Sequence, residues 1–156
     1  IEKEKLRKDL RLAREQAIKY LPKELERLLD WIATHVILNM PYDLRGVGEM
    51  AEEYGDRTVT VDEMRKRRYA VCRHHAVMGQ VLLQIIGTRS KMEKGNFPEG
   101  RHVWNFLYKE SPPLIFDITI KSRDQNKKAT FPAADRRPGH YGPTPDERNH
   151  YKIVHN

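Results

Sequence analysis

The stretch that decides the fold is residues 67–87, RRYAVCRHHAVMGQVLLQIIG. It holds the chain's only cysteine, Cys72, at the point where a basic polar segment gives way to a long apolar run. Ala76, Val77, Met78, Val81, Leu82, Leu83, Ile85 and Ile86 cover most faces of one helix, which stops at Gly87. That pattern predicts a buried central helix. A structural cysteine would fall inside the run, whereas this one stands at its entrance. There the unsatisfied first-turn N–H groups and the helix dipole favour an anion, and such sites lower a thiol from ~8.5 to between ~3.5 and ~7.5.

Around this helix the periodicity is legible on both sides. Leu6, Leu10, Ala13, Ala17 and Leu21 recur at helical steps over Glu2–Tyr20, and Pro22 suits the first turn of a second helix. Its stripe is Leu25, Leu28/Leu29, Ile32 and Val36, and Asn39 to Asp43, with Pro41, ends it. Gly46, Gly48 and Gly55 predict a loop with one helical turn at Glu49–Glu53. Thr60-Val-Asp-Glu63 has the form of a capping box, opening a short helix to about Arg68.

Beyond Gly87 the period becomes two. His102, Trp104, Phe106 and Tyr108 alternate along one predicted strand, and Leu114, Phe116, Ile118 and Ile120 along a second. Lys109-Glu-Ser-Pro-Pro113 between them is short enough for an antiparallel hairpin. Asp117 then lies in an otherwise apolar strand, where a charge is costly without a partner. Residues whose numbers sum to 219 would face each other, which sets Asp117 opposite His102 and leaves Tyr108–Ser111 as the loop. The carboxylate would hold the imidazole and the imidazole would face the thiol: nucleophile, base and orienter.

These residues carry a resemblance. Thr60 through Arg73, with the helix to Gly87, resembles the cysteine segment of the transglutaminase-like superfamily. His102-Val-Trp-Asn105 resembles its histidine strand and Phe116-Asp-Ile-Thr119 its aspartate strand, at intervals of 30 and 15 residues. Leu29-Asp-Trp-Ile32 through Pro41-Tyr-Asp43 is similar to the helix and turn that precede the core. The resemblance spans residues 28–120. It implies an α+β, papain-like fold in which N-terminal helices and a nucleophile-bearing central helix pack on a small antiparallel sheet. It further implies catalysis by Cys72 as nucleophile, His102 as base and then acid, and Asp117 as orienter, through a thioester and without a cofactor. The Cys72 backbone N–H is the default first oxyanion donor. The chain departs from the family pattern at Ala70, usually glycine, and at His74-His75, usually an acidic–aromatic pair.

Composition bounds the rest. The 156 residues fit one domain: residues 1–27 read as a helical extension, 28–120 as the core and 121–156 as a basic, proline-containing segment. A single cysteine excludes an intramolecular disulfide and a multi-cysteine zinc site. It suits a reducing compartment, either the cytoplasm or a host cytosol that receives the chain. No apolar window is long enough for a membrane span, and no signal-peptide pattern opens the chain, whose start at Ile1 is compatible with trimming. The net charge is +7; residues 121–156 supply +4 of it, while residues 31–60 carry −3. This asymmetry permits an acidic partner, but no nucleic-acid-binding signature accompanies it. The acidic residues between Asp43 and Asp56 lack calcium-loop spacing, and no metal site is expected.

The resemblance implies a protein or peptide amide as the substrate, and hydrolysis is the expected outcome. A cross-linking transglutaminase and a catalytically inactive transglutaminase-like protein- or nucleic-acid-binding module are the alternatives. Candidate substrate contacts are Arg73, His74 and Trp104. His74 and His75, being adjacent, point to different helix faces and read as surface or packing residues. Trp104 fits the core better than a binding platform.

Overall fold

A computed structural model describes residues 3–97 and 100–135. Helix α1, Lys3–Tyr20, buries Ala13 completely and packs Leu10 and Ala17 on the core, as its apolar stripe requires. Helix α2, Leu25–Asn39, buries Leu28, Leu29, Ile32, Ala33 and Val36. No helix among the described residues is long and apolar enough to cross a membrane.

The predicted loop after Pro41 is instead an 11-residue helix, α3, Leu44–Tyr54. Asp43 caps it by accepting the Gly46 N–H at 2.7 Å. Gly46 is there for closeness, since a Cβ would lie 2.5 Å from the Tyr69 ring. Helix α4, Val61–Arg67, begins where the capping pattern placed it, with Thr60 Oγ1 accepting the Glu63 N–H at 3.2 Å. The chain then runs beside Tyr42 through a parallel bridge to Ala70, where the Asp43 N–H donates to the Ala70 carbonyl at 2.8 Å.

Helix α5, Cys72–Ile85, is central: α1, α2 and the helix Ile118–Arg123 pack on it, and it lies against the strands Lys91–Phe97 and Gly100–Leu107. Among the described residues the sheet has four antiparallel strands in sequence order: β1 Lys91–Phe97, β2 Gly100–Leu107, β3 Leu114–Phe116 and β4 Thr130–Pro132. Two strands, β1 and β4, were not expected. The second predicted strand is cut short at Phe116; Asp117 caps a six-residue helix, α6, Ile118–Arg123. The sheet's far face carries a small core of Trp104 and Ile115 with Phe106, Ile120 and Phe131. The possible strand at Tyr151–Val154 lies outside the described residues.

Candidate active site

Cys72 is the first residue of α5. Val71 before it is extended (φ −128°, ψ 180°) and has no side chain able to cap. His74, at the third helical position, reaches back to it instead: its Nδ1 accepts the Val71 N–H at 3.1 Å. Burial, then the Arg73 charge, pushes His74 down to about 4, so the ring stays a neutral acceptor.

His102 stands near the start of β2 and Asp117 at the end of β3, both buried. The His102 Nε2 lies 2.7 Å from Asp117 Oδ2. Asp117 Oδ1 accepts the first-turn N–H groups of α6, from Thr119 at 3.1 Å and Ile120 at 3.3 Å. One carboxylate thus caps a helix with one oxygen and holds a ring with the other. The register behind this contact is Asn105 opposite Phe116 and Leu107 opposite Leu114, a sum of 221 rather than 219, with residues 108–113 as the loop. Asp117 therefore meets His102 from the helix cap just past the strand, not as its cross-strand partner.

The half-buried Cys72 thiol is close enough to the His102 ring, and to the backbone N–H groups of Val103 and Arg73, for each of them to favour its thiolate. With Nε2 on Asp117, Nδ1 is the ring nitrogen left for the thiol. Burial alone would raise the thiol's pKa. The hydrogen bond and charge of His102, then the two N–H groups, outweigh burial and hold it below the ordinary value. For His102, burial favours the neutral ring, but Asp117 and Cys72 outweigh it and push the imidazole up to about 9. This geometry can hold a thiolate beside an imidazolium.

The other sequence candidates divide. Arg73 is exposed, and its backbone rather than its side chain reaches the sulfur. His74 is a cap. Trp104 is 1% exposed, donates from Nε1 to Glu93 at 3.1 Å and stacks on His102 at 6.0 Å; it backs the imidazole and is too deep to touch a substrate. His75, read as a surface or packing residue with substrate contact as the alternative, is 1% exposed with both ring nitrogens engaged, on Thr119 Oγ1 and the Met40 carbonyl. Its spacing was the available signal, since i and i+3 share a helix face and Cys72 is at i. Among the described residues, no three His, Cys, Asp or Glu side chains converge as metal ligands would.

No protein-family model matches the chain, and no curated protein matches it. Solved structures do. A transglutaminase crystal structure superposes with a TM-score of 0.53 over 88% of this chain, at 14% identity. The fold is transglutaminase-like. A candidate cysteine protease from Cytophaga hutchinsonii aligns over 81% of the chain at 21% identity, with a TM-score of 0.44. The chain spans less than half of either protein, 41% and 44% respectively. What the transglutaminase-like fold supplies is the frame: a helix N-terminus facing a strand, with a second strand ending beside it.

Proposed function

We propose that this protein is a cysteine-dependent acyl-transfer enzyme that hydrolyses peptide or side-chain amides through a thioester on Cys72. The observation that carries the reading is the His102 ring, hydrogen-bonded to the buried Asp117 carboxylate at 2.7 Å and close enough to the Cys72 thiol to favour its thiolate. The Cys72 thiolate attacks the amide carbonyl, and the oxyanion forms at the N-terminus of α5, near the Cys72 N–H. The His102 imidazolium gives its Nδ1 proton to the departing nitrogen, so amine leaves and the thioester remains. Water then attacks the thioester and yields its proton to the now neutral Nδ1. Collapse expels the thiolate with a free carboxylic acid, and the imidazolium–thiolate pair is restored. Asp117 orients the ring throughout.

Water is favoured over an amine acceptor because the nucleophile is half-exposed, and an open thioester meets water at ~55 M unless it is excluded. The test is a panel of peptide and glutamine-type amides, with labelled lysine analogues present, assayed with wild-type and Cys72→Ala protein. Free acid with ammonia or amine should appear with wild type alone, and chelators should not change the rate. Amine incorporation exceeding hydrolysis would make the enzyme a cross-linker. A wild type inert to the whole panel would leave the fold a binding module.

A further inference from the structure

We propose that His75 is a positioning residue, which locks the first turn of α6 through Thr119 and thereby aims the Asp117 carboxylate at His102. The inference rests on the reading of Asp117 as the orienter of a catalytic imidazole. Helix α6 has six residues, far fewer than an isolated helix needs, so its place is set by tertiary ties. Its later residues are tied by Lys121, paired with Asp30, and by Ser122 Oγ, which accepts the Tyr42 N–H at 2.8 Å. The Asp117 backbone is fixed by its N–H on the Ala129 carbonyl at 2.7 Å. What aims the carboxylate itself is the pair of first-turn N–H groups on Oδ1, and the first turn is tied through the Thr119 hydroxyl, 2.9 Å from His75 Nδ1.

The chemistry of His75 fixes the direction of each bond. The Met40 carbonyl, 2.7 Å from Nε2, can only accept, so Nε2 carries the proton. Burial holds the ring neutral, below the ordinary imidazole value, despite the raising effect of the Met40 bond and the Asp117 charge. The bare Nδ1 therefore accepts from the Thr119 hydroxyl. The line runs from Met40 at the end of α2, through His75 and Thr119, to Asp117, His102 and Cys72. One face of α5 presents two points of it, the thiol at its first residue and the brace three residues later. A residue that merely filled space would need neither nitrogen.

The two nitrogens can be separated by substitution. His75→Gln keeps a donor for Met40 and loses the acceptor for Thr119, while His75→Asn does the reverse. Thr119→Val removes the hydroxyl at constant shape, and Thr119→Ser restores it. The readout is the pH inflection of iodoacetamide alkylation at Cys72, which needs no substrate, with thermal melts to confirm folding. His75→Gln and Thr119→Val should each raise the inflection by roughly 1 unit. The double variant should go no higher than either alone, and His75→Asn and Thr119→Ser should match wild type. With a substrate from the panel, the first two should lose roughly tenfold in kcat at unchanged KM. Folded Thr119→Val with a wild-type inflection overturns the positioning role, and it decides the matter even if His75→Gln does not fold. A wild-type inflection already at the ordinary thiol value, ~8.5, overturns the proposed function as well.

Discussion

At Cys72, His102 and Asp117 the balance of burial against partners sets a pH window. The thiolate exists above the thiol's lowered pKa, and the imidazolium persists up to about 9, so both charges coexist between those limits. Hydrolysis should follow a bell whose alkaline limb lies near 9, where His102 gives up the proton it owes the leaving group. Asp117→Asn keeps an oxygen for the α6 cap but removes the charge that holds the imidazolium. In that variant the alkaline limb should move down and kcat should fall severely; an unmoved limb would mean that Asp117 does not tune the ring. Stability separates the same residues differently. Cys72 is half-buried beside Ala76, Met92 and Val103, so Cys72→Ala should cost no more than ~1 kcal/mol. Asp117→Ala strands the first-turn N–H groups and the ring together, and should cost about 2–4 kcal/mol in a denaturant melt. Equal losses would make the thiol a core group.

At the scale of elements, the sequence showed which strands face each other but not their register. A period of two assigns faces, and a two-residue slip moves no side chain to the other face, so sums of 219 and 221 pattern identically. The break at Asp117 was hidden for a related reason: Ile118, Thr119 and Ile120 are β-branched residues with strand propensity, and the cap that overrides them is a tertiary arrangement. Strand β1 shows Met92 as its buried apolar side chain among the described residues, so it offered no alternation to read. Its lysines suit a sheet edge. Helix α3 was masked by glycines, one of which exists for contact with Tyr69. Helix α5 was fully legible, yet its packing on β2 turns on Gly79, which periodicity leaves blank. Alanine there would favour the helix by ~1 kcal/mol, but its Cβ would sit 2.5 Å from Asn105 Oδ1. Asn105 cannot swing away, because its Nδ2 is bonded to Ala76 O at 3.0 Å and Gln80 Oε1 at 3.1 Å. Gly79→Ala should therefore lower the melting temperature, and Asn105→Ala in the same chain should recover part of the loss. Additive effects in that cycle would rule out the clash.

At the scale of the whole molecule, α1 is bound to the rest by charge as well as by its apolar stripe. Asp9, 4% exposed, meets His35 of α2 at 2.9 Å and Arg65 of α4 at 2.8 Å, and Trp31 stacks on His35 at 5.0 Å. Residues 1–27 lie outside the stretch that carries the family resemblance, and the stripe alone did not reveal that one of their acids is buried. Burial by itself would raise the Asp9 pKa; the His35 hydrogen bond and the Arg65 charge outweigh it and hold the carboxyl below the usual carboxylate range. A carboxylate with a depressed folded-state value adds stability that is complete above its unfolded value and is lost as pH falls through the folded one. The cluster should thus hold α1 at neutral pH and release it in acid. Asp9→Asn keeps the shape and removes the charge, leaving Arg65 buried without its counter-ion, a change that typically costs about 3–5 kcal/mol. The penalty should be largest at neutral pH and should shrink below about pH 4, where wild type loses the same charge. With Trp104→Phe as background, Trp31 fluorescence reports on this corner alone, so urea melts at pH 7 and pH 3 can follow both chains. A gap between Asp9→Asn and its parent that stays constant across that range would show that the carboxylate's charge does not hold the helix.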